Sequence, residues 1–223
     1  MQHSCLPFLE IAPRFSAQAC VIWLHGLGAD GHDFIGIVPE LQLPEQLAIR
    51  FVFPHAPVRA VTVNAGQRMR AWYDITQPDL SRVPDRQGIL DSAAAVQQLI
   101  THQHALGIPY QRIILAGFSQ GGVIALHAGL RYPHPLGGIM ALSTYFPLMD
   151  EASALTPENR ATPILMAHGQ YDPVIPLSYA AQSCQGLQRL GYAVNWQVYP
   201  MQHSVCADEI ALIGRTIQQR LAL

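Results

Sequence analysis

The stretch LAGFSQGGVIA, residues 115–125, sets one serine, Ser119, among Gly117, Gly121 and Gly122. Gly117-Phe118-Ser119-Gln120-Gly121 fits the Gly-x-Ser-x-Gly pattern of a nucleophile elbow, in which a serine is thrust out of a sharp strand-to-helix turn. Glycine inside a helix costs ~1 kcal/mol against alanine. Three glycines around one serine therefore imply a backbone that bends sharply or is approached closely. The bland alternative is a glycine-rich turn with an incidental serine. The apolar run 111–118 before Ser119 and the helical pattern 120–132 after it favour the elbow, with the serine at a helix N-terminus whose dipole suits developing negative charge.

A serine hydroxyl is a weak nucleophile until a base takes its proton. Behind an elbow, the acid and the base follow in the order Ser, Asp or Glu, His. AHGQYDPVIP (167–176) offers Asp172 in a turn stiffened by Pro173 and Pro176, and YPMQHSV (199–205) offers His203. Both segments follow strand-like runs. Of the ten histidines, His25, His32 and His55 precede the serine, His127 lies inside the following helix, and His134 follows its end. His168 shares its loop with the acid. Asp150, Glu151 and the weaker Glu158 rival Asp172, whose loop is the tightest. An oxyanion needs two backbone N–H donors. Gln120, next after the serine, offers one, and Leu27 in the glycine-rich HGLGADG (25–31) offers the other. Metal binding by His25, Asp30, His32 and Asp33 is the competing use of that loop, but their spacing fits no familiar zinc pattern.

These loops need strands to carry them. Apolar runs at 19–24, 49–54, 111–118, 136–144, 162–169 and 193–200 read as strands. Segments 33–41, 88–106, 120–132, 177–190 and 206–221 read as helices, with Ile89, Ala93, Val96, Leu99 and Ile100 on one helical face. The first of these helices is limited by Pro39. Residues 55–75 read as a long irregular stretch. Alternating strands and helices argue a mostly parallel sheet covered on both faces. Ligands then bind at the carboxyl ends of the strands, which is where Ser119, Asp172 and His203 fall. No linker, repeat or low-complexity segment divides residues 1–223, so one domain is expected.

Composition narrows the chemistry. Among 223 residues, 50% are hydrophobic and 13% charged, with a net charge of −2. No basic cluster suggests nucleic acid. The chain contains no lysine, which excludes a Walker A lysine, a pyridoxal phosphate Schiff base, a Ser-Lys dyad and the protein-kinase lysine. No Gly-x-Gly-x-x-Gly fingerprint is present. Cys5, Cys20, Cys184 and Cys206 form no C-x-x-C pair and read as reduced thiols, most of them buried. The N-terminus lacks the marks of a signal peptide, and no apolar run reaches the ~18 residues of a membrane span. A cytoplasmic protein is expected.

Seven blocks together carry a resemblance: VIWLHGLGADGHDF, FPHAPVRAVTVN, RAWYDI, GFSQGG, ALSTYFP, HGQYDPVIP and YPMQHSV. In content and order, over about residues 19–206, they resemble the acyl-protein thioesterase, carboxylesterase and lysophospholipase group of α/β-hydrolases. The resemblance implies an α/β-hydrolase fold without a large cap domain. It matches Ser119, Asp172 and His203 to the family's triad, and Leu27 and Gln120 to its oxyanion donors. It suggests that Trp72 lines the acyl-binding side; a core or lid aromatic is the other reading. It implies no cofactor, no metal, an acyl ester or thioester substrate, and association as homodimers. NAGQRMR (64–70) departs from the pattern in placing Arg68 and Arg70 by the pocket mouth. The expected reaction is a two-step acyl transfer through an acyl-enzyme. Two other readings remain: an amidase with the same triad, and a binding protein on a hydrolase scaffold.

Overall fold

A computed structural model of the chain describes residues 5–77 and 84–222. In chain order the strands and helices are β1 (Phe8–Ile11), β2 (Ala19–Leu24), α1 (Ile37–Glu40), β3 (Ile49–Pro54), β4 (Val58–Val61), β5 (Gln67–Arg70), α2 (Arg86–Ala105), β6 (Ile113–Phe118), α3 (Gln120–Leu130), β7 (Gly138–Leu142), β8 (Ile164–Gly169), α4 (Leu177–Arg189), β9 (Val194–Tyr199) and α5 (Ala207–Leu221). Seven strands form one sheet in the order β1-β3-β2-β6-β7-β8-β9. All run parallel except β1, which pairs antiparallel with β3. This is the mostly parallel, helix-covered sheet expected from the strand–helix alternation, and it agrees with the α/β-hydrolase fold that the resemblance implies.

The central strands are buried on both faces, and their side chains alternate between two cores. Ile22, Leu24, Ile113, Leu115, Ile139 and Met166 pack with α2, α3 and α4. Val21, Trp23, Ile114, Ala116, Met140 and Leu165 pack with α1 and α5 on the other face. The apolar stripe read for α2 is buried as the period requires. Every residue of α3 is buried, in keeping with a helix apolar on all sides.

The strand order supplies the reason for the site's position. From β2 the chain moves outward to β3, then returns across β2 to β6. The loops leaving β2 and β6 therefore diverge at a topological switch point, where open parallel sheets bind ligands.

Three elements differ from the sequence expectation. The helix expected over 33–41 is a single turn, Ile37–Glu40, preceded by turns. Pro39 contributes no N–H and Gly36 precedes the turn, so little favours a longer helix. The irregular stretch contains a hairpin, with Val58 opposite Arg70 and Val61 opposite Gln67. Its turn uses positive φ at Ala65 (54°) and Gly66 (75°). Strand β1 has no counterpart among the expected strands. The four cysteines are unpaired; Cys20 and Cys184 are buried, whereas Cys5 and Cys206 are only half-buried. No helix among the described residues is long and apolar enough to cross a membrane.

Candidate active site

Ser119 sits between β6 and α3 with φ 55° and ψ −121°. A non-glycine residue with positive φ carries strain of ~1–3 kcal/mol and persists where its surroundings over-determine it. Here they do. Ser119 N–H donates to the Leu142 carbonyl at 2.9 Å. The Ser119 carbonyl accepts from Thr144 Oγ1 at 2.7 Å and from Gly122 N–H at 3.0 Å. The flanking glycines let the turn close: a Cβ on Gly117 would lie 2.2 Å from the Gly121 carbonyl oxygen, and one on Gly121 2.4 Å from that of Leu24.

The loops after β8 and β9 deliver the polar partners. His203 Nε2 lies 3.0 Å from Ser119 Oγ, and His203 Nδ1 lies 2.7 Å from Asp172 Oδ2. A carboxylate only accepts, so the proton belongs on Nδ1, leaving Nε2 free to accept from the serine hydroxyl. Asp172 Oδ1 accepts from Val174 N–H at 2.8 Å and Ile175 N–H at 2.9 Å. The Asp172 side chain is fully buried, while that of His203 keeps 16% of its surface exposed. The line of groups thus runs from a sealed carboxylate through a partly exposed imidazole to a serine that keeps only 9% of its surface exposed.

Two further contacts shape this line. The Phe118 ring lies 4.8 Å from that of His203, centroid to centroid. His168 is fully buried, donates from Nε2 to the Ile175 carbonyl at 2.9 Å and approaches Asp172 Oδ2 at 3.4 Å. Burial lowers its pKa, so it stays neutral beside the carboxylate that His203 uses. The rival acids stand elsewhere: Glu151 is taken up by Arg86 and Arg131, and Glu158 is exposed.

Leu27 follows β2 in the glycine-rich loop, and Gln120 opens α3. Among the described residues, neither Leu27 N–H nor Gln120 N–H has an acceptor. The Gln120 side chain is spent inward, with Oε1 accepting from Trp72 N–H at 3.0 Å and Nε2 donating to the Tyr73 carbonyl at 2.9 Å. Trp72 has no exposed surface, and its indole donates to the His25 carbonyl at 2.8 Å. Where the resemblance put Trp72 on the acyl-binding side, the structure buries it behind the glycine-rich loop that follows β2. The two arginines are held along the hairpin, Arg70 Nη1 on the Ala56 carbonyl at 2.9 Å and Arg68 Nη2 on that of Val58 at 3.4 Å. His25, whose pKa is lowered by burial, accepts Ala56 N–H at Nε2. His32 instead turns to Asp30 at 3.0 Å. No group of three or more metal-type ligands is gathered among the described residues.

The sequence reading set His168 aside as a base without seeing its place beside Asp172, and it missed Thr144 and the inward use of the Gln120 side chain. HGQYDPVIP and ALSTYFP contained His168 and Thr144 without marking these roles.

Compared with known protein families, residues 9–221 match the phospholipase/carboxylesterase family. Acyl-protein thioesterase 1 of Neurospora crassa is 39% identical over 213 residues, which span 91% of this chain and 87% of that protein. The acyl-protein thioesterase 1 of Yarrowia lipolytica is 34% identical over 96% of this chain and 97% of its own length. Among solved structures, Arabidopsis thaliana SOBER1 superposes with a TM-score of 0.87 at 30% identity, covering 92% of this chain and all of that one.

Proposed function

The chain belongs to the phospholipase/carboxylesterase family and is a hydrolase of acyl esters or thioesters; from that premise we propose that Ser119, His203 and Asp172 carry out the hydrolysis. The observation that carries this is the continuous line Asp172 Oδ2, His203 Nδ1, His203 Nε2, Ser119 Oγ, with gaps of 2.7 and 3.0 Å.

In the acylation step Ser119 Oγ attacks the acyl carbonyl carbon while His203 Nε2 takes the hydroxyl proton. Asp172 orients the imidazole and stabilises the imidazolium. The unengaged N–H groups of Leu27 and Gln120 receive the oxyanion without first breaking a bond to the protein. Collapse of the tetrahedral intermediate expels the alcohol or thiol, which leaves with the proton from His203. Water then attacks the acyl-serine, again losing a proton to His203, and the carboxylic acid and free Ser119 are regenerated. Proton and oxygen balance is complete without a cofactor.

The relatives named acyl-protein thioesterase support thioesters of acyl chains on proteins as one substrate class, alongside simple carboxylic esters. Residues 1–223 are read as one domain, and the unpaired cysteines support a cytoplasmic setting.

The test is hydrolysis of p-nitrophenyl esters from acetyl to palmitoyl, and of the matching thioesters, with Ser119→Ala in parallel. Turnover by the parent and a loss of several powers of ten in the variant are expected. A folded Ser119→Ala protein with parental turnover would sink the assignment.

A further inference from the structure

The two proposed oxyanion donors lie on different parts of the chain, and something must fix the distance between them. Leu27 is outside the sheet, since β2 ends at Leu24. Its loop is instead tied to the segment 70–72 on both sides: Gly28 N–H donates to the Arg70 carbonyl at 2.9 Å, and the Trp72 indole donates to the His25 carbonyl at 2.8 Å. The same segment is clasped by Gln120, through Trp72 N–H at 3.0 Å and the Tyr73 carbonyl at 2.9 Å. Ser92 Oγ, on α2, closes on the Trp72 carbonyl.

We infer that Trp72 is the positioning residue that holds the Leu27 and Gln120 donors in one geometry, its indole fixing the oxyanion loop and its backbone fixed by the Gln120 side chain. This rests on the reading of those two N–H groups as the oxyanion hole. The indole N–H is the decisive atom. Among the described residues no other donor reaches the His25 carbonyl, and His25 is buried at 1% exposure. Without that bond the carbonyl is left unsatisfied, and its peptide turns to recover a partner. A rotation there carries the Leu27 N–H away from the position the oxyanion will occupy. A side chain that merely filled space would need the shape of the indole but not its hydrogen.

Replacing Trp72 with 3-benzothienylalanine separates the two, because sulfur substitutes for N–H in a ring of nearly the same shape. Trp72→Phe is the ordinary companion variant. The kinetics of ester hydrolysis are measured together with the affinity for an acyl trifluoromethyl ketone, whose adduct with Ser119 bears an oxyanion. A misplaced donor lowers transition-state stabilisation and spares ground-state binding. Both variants are therefore expected to lose ~10- to 100-fold in kcat with KM within about twofold. Inhibitor affinity should weaken by a similar factor.

A folded benzothienyl protein with parental kcat and inhibitor affinity overturns the inference, as does a parallel rise in KM with the ketone affinity retained. Should Trp72→Phe fail to fold, the benzothienyl variant decides alone. A parent enzyme whose turnover survives Ser119→Ala removes the underlying reading, and the inference falls with it. Parental turnover abolished by Ser119→Ala, with the benzothienyl protein unchanged, overturns the inference only.

Discussion

Asp172 shows how a single side chain is committed on every oxygen. Oδ1 accepts two backbone N–H groups, from Val174 and Ile175, and Oδ2 accepts His203 Nδ1. Asparagine has one oxygen to divide between these two directions. If its carbonyl faces Val174 and Ile175, its amide N–H faces His203 and selects the imidazole tautomer with Nε2 protonated, which cannot accept from Ser119. Asp172→Asn is therefore expected to keep the fold and to lose kcat by a factor on the order of 10⁴, the size of the same change in a serine-protease triad. Steady-state kinetics with a saturating ester checks this; a loss under tenfold would put the orienting group elsewhere. These three residues are legible in the sequence itself. Ser119, Asp172 and His203 each follow an apolar run of strand length, and their order in the chain is that of an elbow enzyme. The splint around Trp72 is not legible there. Its bonds join residues 47 and 48 positions apart, and no local pattern distinguishes a tryptophan that binds a carbonyl from one that lines a pocket.

At the scale of elements, two helix starts govern the site. Helix α3 begins so close to β2 that Gly121 has no room for a side chain: its Cβ would stand 2.4 Å from the Leu24 carbonyl oxygen and 2.6 Å from that of His25. Gly121→Ala must push the helix off the strand, displacing Gln120 and the glycine-rich loop after β2 together. Overpacking of this kind costs ~1–3 kcal/mol or more. A lowered melting temperature and a lower kcat are expected; parental values of both would show that the helix moves freely there. Helix α5 begins shortly after His203, and its third residue, Glu209, is fully buried with both carboxyl oxygens unpartnered among the described residues. Burial pushes its pKa up to about 8, against a weaker lowering by the Cys206 backbone. The unfolded chain ionises near 4.5, so folding binds a proton between these values, and stability falls as pH rises from about 4.5 to about 8. Glu209→Gln removes the ionisation while keeping the shape. Its advantage in unfolding free energy over the parent should grow from pH 5 to pH 8, and a constant difference would contradict a buried neutral carboxyl.

The same scale explains which elements were readable. The central parallel strands announce themselves because burial on both faces demands continuous apolar runs, whereas β9, VNWQVY at the sheet edge, is only half-buried. β5, with the sequence QRMR, has no β-branched or aromatic residue and is held by its register with β4. β1 is four residues long and gains its identity from pairing with β3. Such edge and hairpin strands are specified by their neighbours more than by their own composition.

For the whole molecule, the fold that brings four loops to one edge of a sheet also encloses histidines that must remain neutral. His127 lies on the fully buried α3; its Nε2 donates to the Pro147 carbonyl at 3.0 Å, and its Nδ1 faces Arg131 Nη1. A second proton would have to sit on Nδ1, opposite a guanidinium. Burial first, and Arg131 second, lower its pKa to about 3. His25 and His168 are lowered in the same direction, chiefly by burial. A histidine with a depressed folded pKa takes up its proton on unfolding. Stability is therefore complete above the ordinary histidine value near 6.5 and is lost as pH falls toward the folded values. Each such group steepens the loss by up to ~1.4 kcal/mol per pH unit. Denaturant unfolding at pH 7, 6, 5 and 4 should show this slope in the parent. His127→Gln, which has no proton to gain, should be less stable at pH 7 yet lose less between pH 6 and pH 4, by about one proton's worth of slope. An unchanged slope would mean that His127 is protonated in the fold.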